Sequence, residues 1–92
     1  MIVHFTFHIH PDHREQAKEE MRKVRALIHK HGGRNLRYFA SMTSSTPNRL
    51  FMYEIDNFAH FDSLNKDPDY RAVKLDSLYS HCTGTTWGDV TL

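Results

Sequence analysis

Met1-Ile2-Val3-His4-Phe5-Thr6-Phe7-His8-Ile9-His10 opens the chain with an unbroken alternation. In an extended strand successive side chains point to opposite faces, so Val3, Phe5, Phe7 and Ile9 share one side and His4, Thr6, His8 and His10 the other. The first set is a core face. The second carries three imidazoles that a core has no use for. Which side of this strand meets the rest of the fold therefore decides between a lined cavity and a solvated histidine ladder.

Outward from this strand, Pro11 stops the extended segment and Asp12 reads as an N-cap with Glu15 as its capping-box partner. A helix is predicted to about His31, because Ala17, Met21, Val24, Leu27 and Ile28 recur at helical spacing while Arg and Glu cover the other sides. Gly32-Gly33 ends it. Arg34 to Ser41 and Leu50 to Ile55 alternate as two strands of a hairpin around a polar loop rich in Ser, Thr, Pro and Asn. Asp56-Asn57 caps a short helix from Phe58 to Asn65. Asp67-Pro68 starts another, with Tyr70, Val73, Leu75, Leu78 and Tyr79 as its apolar stripe. Thr83 to Leu92 is the last strand, interrupted by Gly84 and Gly88. The order β-α-β-β-α-β is the split βαβ, or ferredoxin-like, α+β plan: a four-stranded antiparallel sheet with both helices on one face, as a single domain over residues 1–92.

Twelve basic and eleven acidic residues nearly cancel, which argues against nucleic acid or an anionic membrane as a partner. No apolar run approaches the roughly 20 residues that span a bilayer. The lone Cys82 forms no internal disulfide, and the opening strand has no basic, signal-like character. A cytoplasmic protein is expected. The sheet face away from the helices should hold Phe39, Trp87 and either Phe51 or Met52, too aromatic for open water. A second copy of the chain is the simplest cover, and a small domain gains most from one.

The run Phe51-Met52-Tyr53-Glu54-Ile55-Asp56-Asn57-Phe58-Ala59-His60-Phe61, followed by Asp67-Pro68-Asp69-Tyr70-Arg71-Ala72-Val73, resembles the dimeric α/β-barrel superfamily. Within it the chain is similar to the antibiotic-biosynthesis-monooxygenase-like and NIPSNAP-like small domains. The resemblance implies a homodimer whose two sheets form a barrel, a pocket on the sheet face away from the helices, and a small-molecule substrate. It implies a cofactor-independent, monooxygenase-like enzyme acting on an aromatic or polyketide-like compound. The haem-degrading members of the fold carry an asparagine, a tryptophan and a histidine where this chain has His4 or Thr6, Leu64 and Lys74, so haem degradation is not expected.

Three constellations carry chemistry. His4 or His8 could act as a general base, with Arg37, Tyr53 or the Trp87 indole holding a developing oxyanion; the alternative is a hydrogen-bonded structural histidine. Trp87, Phe39 and Tyr53 could wall a pocket for a flat ring, or simply pack a dimer interface. His8 and His10, two residues apart on one strand face, could chelate a divalent transition metal with Glu54 or Asp89, or stand in solvent beside Pro11. Arg37 is either an anion clamp or a surface partner of Glu54 or Asp56. His13, His29, His31 and His60 read as helix-surface or cap residues. An isomerase or cyclase using a histidine base, a metal-binding protein, and a non-catalytic ligand-binding module are the rival readings. No bound cofactor is expected for the oxygenase.

Overall fold

A computed structural model describes residues 1–43, 45–73 and 78–92. The alternating N-terminal segment forms strand β1 (Ile2–Ile9), the charged amphipathic segment helix α1 (Arg14–Lys30), and the hairpin strands β2 (Arg34–Ala40) and β3 (Arg49–Glu54). Two short helices follow, α2 (Ala59–Lys66) and α3 (Pro68–Arg71), then strand β4 (Tyr79–Trp87). The sheet is antiparallel in the order β2-β3-β1-β4, which is the ferredoxin-like arrangement that the element order predicts.

Val3, Phe7 and Ile9 of β1 pack with Phe51, Tyr53 and Ile55 against Ala17, Met21, Val24 and Ile28 of α1. The apolar side of the opening strand therefore faces the helices. Cross-strand partners share a face. His4 lies opposite Met52 and Thr85, Ile2 opposite Glu54 and Trp87, and Met52 opposite Arg37. These residues make up the open face of the sheet. Phe51 is in the core and Met52 on the open face, which resolves the alternative left by the sequence.

The α1 terminus follows from local chemistry. Gly32 adopts φ of 91°, its N–H bonds to the His29 carbonyl, and the Gly33 N–H reaches back to the Ile28 carbonyl at 2.8 Å. This is a Schellman closure, and it uses glycine where the backbone turns left-handed. The start of α1 differs from expectation. A single 3-10 turn, Pro11–His13, intervenes, and His10 Nδ1 rather than Asp12 caps it by accepting from the Asp12 N–H. At the far end of β1, Asn48 takes over from the ladder: its side chain accepts from the Ile9 N–H at 2.8 Å and donates to the Ile9 carbonyl at 2.9 Å.

The C-terminal third corrects the sequence reading. Helix α3 ends at Arg71, and Tyr79 belongs to β4, so the helical stripe from Tyr70 to Tyr79 does not form as one element. Leu75 of that stripe lies outside the described residues. β4 starts at Tyr79 and ends at Trp87, four residues earlier than predicted at its start and five at its end. Its register against β1 slips between Thr6 and His8, where His81 sits at φ of 57°. This bulge adds one residue and returns Tyr79 to the helix side, where its ring lies 5.5 Å from that of Phe7.

Candidate functional site

A cavity of about 210 Å³ lies between the sheet and the helices. Its sheet wall is aromatic: Phe5 stacks on Phe51 at 5.3 Å between ring centroids, and Phe51 on Tyr53 at 5.7 Å. Met21, Val24 and Ile28 of α1 form the opposite wall with Phe61 and Leu64 of α2. Tyr53, Asn65, Tyr70, Tyr79 and Cys82 bring polar atoms to this lining. Phe5 owes its position to Gly84, its partner on β4: a Cβ there would lie 2.5 Å from the Phe5 ring, so glycine lets the ring lie over the strand.

Tyr53 is the polar anchor of the cavity. It is 2% exposed, and its hydroxyl lies 2.8 Å from Nε2 of His60, itself buried. His60 Nδ1 lies 2.8 Å from the His31 carbonyl, which can only accept, so Nδ1 carries the proton. In the neutral ring Nε2 is then an acceptor and the Tyr53 O–H donates to it. Burial, aided by the nearby Tyr70, pushes the Tyr53 phenol well above its ordinary range, so it stays protonated.

Beyond His60, the end of α1 meets the α2–α3 junction. Asp67 accepts from His31 Nε2 at 2.7 Å, from Lys30 Nζ at 3.0 Å and, through its other oxygen, from the Asp69 N–H at 2.9 Å. His31 Nδ1 bonds to the Ser63 hydroxyl. These donors, His31 first, hold the Asp67 carboxyl well below the usual carboxylate range. A shallow cleft of about 320 Å³, lined by Lys30, His31, Asp56, Asn57, His60 and Ser63, opens above this group.

The residues singled out from the sequence divide between two faces. His4, Arg37 and Trp87 stand on the open face, where the Trp87 indole N–H donates to His4 Nδ1 at 3.3 Å. His8 shares that side of β1, with its Nδ1 buried and unbonded and its ring 6.2 Å from that of His81. Arg37 lies 4.8 Å over the Phe39 ring. Its expected partners are engaged elsewhere, Asp56 by Arg34 at 2.9 Å and Glu54 by Asn35. Tyr53 is on the opposite face from His4 and Trp87, and the cavity it lines is on the helix side of the sheet. The His8, His10 and Glu54 set does not assemble. Glu54 pairs with Ile2, six residues or about 20 Å along β1 from His8, and His10 turns toward Asp12 and His13 beyond the strand end. Among the described residues no group of three or more His, Cys, Asp or Glu side chains could hold a metal.

His31 is the C-cap of α1, in keeping with the sequence reading, but its contacts with Ser63 and Asp67 were missed, and His60 is buried rather than a surface or cap residue. The Ser63–Asp67 spacing of four residues was a readable signal, since it sets both on one side of a helical turn. Nothing local pointed to His31 between them.

No protein-family model matches the sequence, and no curated protein is similar to it. Solved structures do match. A protein from Nitrosomonas europaea assigned as an antibiotic biosynthesis monooxygenase superposes with a TM-score of 0.73 at 15% identity, covering 99% of this chain and 100% of that one. A dimeric ferredoxin-like protein of unknown function from Thermobifida fusca gives 0.68 at 19% identity over 91% of this chain and 86% of that one. A NIPSNAP domain protein from Burkholderia xenovorans gives 0.69 at 17% identity over 98% and 95%. Over nearly its whole length, then, the chain has the ferredoxin-like fold of the antibiotic-biosynthesis-monooxygenase-like and NIPSNAP structures.

Proposed function

We propose that the protein is a small-molecule enzyme of the monooxygenase-like type, acting on a phenolic, polyketide-like ring held in the cavity between sheet and helices. The observation that carries the reading is the aromatic wall of Phe5, Phe51 and Tyr53 ending in the Tyr53–His60 hydrogen bond. A flat ring stacks on such a wall and is oriented by the few polar groups at its edge. The similar structures assigned to antibiotic biosynthesis monooxygenases support the reaction class.

The phenolic substrate donates its proton to the Tyr53 oxygen as Tyr53 passes its own to His60 Nε2. This concerted relay avoids a free tyrosinate, which burial disfavours. The phenolate is electron-rich enough to react with dioxygen at an unsubstituted para carbon. The resulting hydroperoxide loses water to leave a quinone, so phenol plus dioxygen gives quinone plus water, and no external reductant is consumed. The proton returns from His60 through Tyr53.

A homodimer completes the proposal. Ile2 is 38% exposed and Trp87 56% exposed on the open sheet face, which also carries Met52 and Phe39 among polar side chains, a mixed surface suited to the same surface of a second copy. In this arrangement His4, His8, Arg37 and Trp87 act at the interface, with the His4–Trp87 bond fixing the indole.

Oxygen uptake with a panel of phenols and naphthols tests the reading. Tyr53→Phe should lower kcat by about 100-fold while ring binding, followed by calorimetry, persists. Leu64→Trp, which fills the cavity, should abolish binding. Undiminished uptake in both folded variants would overturn the cavity as the site; turnover without oxygen consumption would replace the oxygenase by an isomerase or cyclase.

A further inference from the structure

We propose that Ser63, His31 and Asp67 form a second, acyl-transfer site, in which Ser63 attacks small activated esters or thioesters. The site lies in the shallow cleft beside the α1 C-terminus and is independent of the oxygenation reading.

The argument starts from the hydrogen-bond directions. An ionised carboxylate only accepts, so the 2.7 Å contact to Asp67 fixes the proton on His31 Nε2. The lone pair of the neutral ring is then at Nδ1, and it faces the Ser63 hydroxyl. This is the connectivity of a nucleophile, a base and an orienting acid, which is recognised by geometry and roles whatever the fold. Burial is graded in the order that chemistry needs. The Asp67 side chain is 5% exposed and the His31 side chain 13%, while Ser63 stands exposed at the cleft. The carboxylate divides its work: Oδ1 caps α3 through the Asp69 N–H, and Oδ2 serves His31. Ser63 and Asp67 are one helical turn apart, and the imidazole at the α1 C-terminus fits between them. His60 braces the His31 backbone from below through its carbonyl.

In the reaction Ser63 Oγ bonds to the acyl carbon as its proton moves to His31 Nδ1. The leaving alcohol or thiol takes that proton as its bond breaks. Water, deprotonated by the same nitrogen, then releases the acid and restores Ser63. Asn57 lines the cleft and carries side-chain N–H groups of the kind a developing oxyanion needs. The substrate class follows from the same contacts. Lys30 shares Oδ2 with His31, which reduces the negative charge available to an imidazolium and restricts the site to good leaving groups. The cleft is shallow, which favours a short acyl chain.

The test is incubation with p-nitrophenyl acetate, with nitrophenolate release followed by absorbance and the acetylated residue found by peptide mass mapping. Ser63 should carry the acetyl group. Ser63→Ala, an exposed change that spares the fold, and His31→Gln should each slow turnover by about 100-fold. Acetylation of lysines alone, or wild-type turnover in Ser63→Ala, would sink the proposal. So would undiminished Ser63 acetylation in a His31→Gln protein whose circular dichroism is native.

Discussion

Asp67 illustrates how one residue can serve several tasks. Its sequence context, Asp-Pro, identifies it as a helix cap, and the structure uses it as one through the Asp69 N–H. The two long-range partners, His31 and Lys30, were not legible, because they arrive from 36 and 37 residues away. The sign of its pH effect follows from the depressed acidity. A carboxyl held below its unfolded value contributes stability above the ordinary carboxylate range, near pH 4, and loses it as pH falls. Asp67→Asn keeps an oxygen for the cap and removes both the charge and the Oδ2 acceptor shared by His31 and Lys30. Its melting temperature should lie several degrees below wild type at pH 7, and the gap should narrow progressively below about pH 4, as thermal denaturation across a pH series would read. Tyr53 carries a different lesson. Alternation placed it with Phe51 and Ile55 and apart from Glu54, but both sides of β3 carry apolar residues, so alternation alone did not say which side meets the helices.

At the scale of elements, β1, α1 and the β2–β3 hairpin were readable because each has a full period of apolar residues and an explicit stop. The C-terminal third was not. Tyr79 fits a helical stripe by spacing, yet the β4 bulge at His81 gives it a place in the sheet. A non-glycine residue in the left-handed region has no local signature strong enough to announce it. Asn35, at φ of 54° within the irregular β2 register, is the more expected kind of residue there, and its amide donates to Glu54. The Asn48 splice is an element-scale device too: one amide satisfies both backbone groups of Ile9, which is 1% exposed. Asn48→Ala leaves that donor and acceptor unmatched, and should cost about 1–3 kcal/mol in urea denaturation. Faster amide exchange at Ile9 should accompany the loss.

For the whole molecule, the β-α-β-β-α-β order was sufficient to identify the fold, and structures of at most 19% identity share it. The location of enclosed space was not legible, since it depends on which layer is loosely filled. The proposed function gives the two sheet faces separate tasks, the helix side a ligand and the open side a second copy. The proposed dimer predicts that Trp87→Lys, which replaces the exposed indole beside Ile2 at the end of β4 with a charge, weakens self-association more than tenfold in sedimentation equilibrium (buried aromatic anchors are commonly worth at least ~2 kcal/mol). Phenol binding in the cavity should be retained. The hydrogen bonds of His60 have a last consequence. One ring nitrogen faces Tyr53, and the other is committed to a backbone carbonyl that can receive a hydrogen bond but cannot carry a proton onward. His60 is thus a cul-de-sac for charge. A proton lent to it must leave by the route it entered, so in the proposed reaction the relay hands its proton back through Tyr53 before the cycle closes.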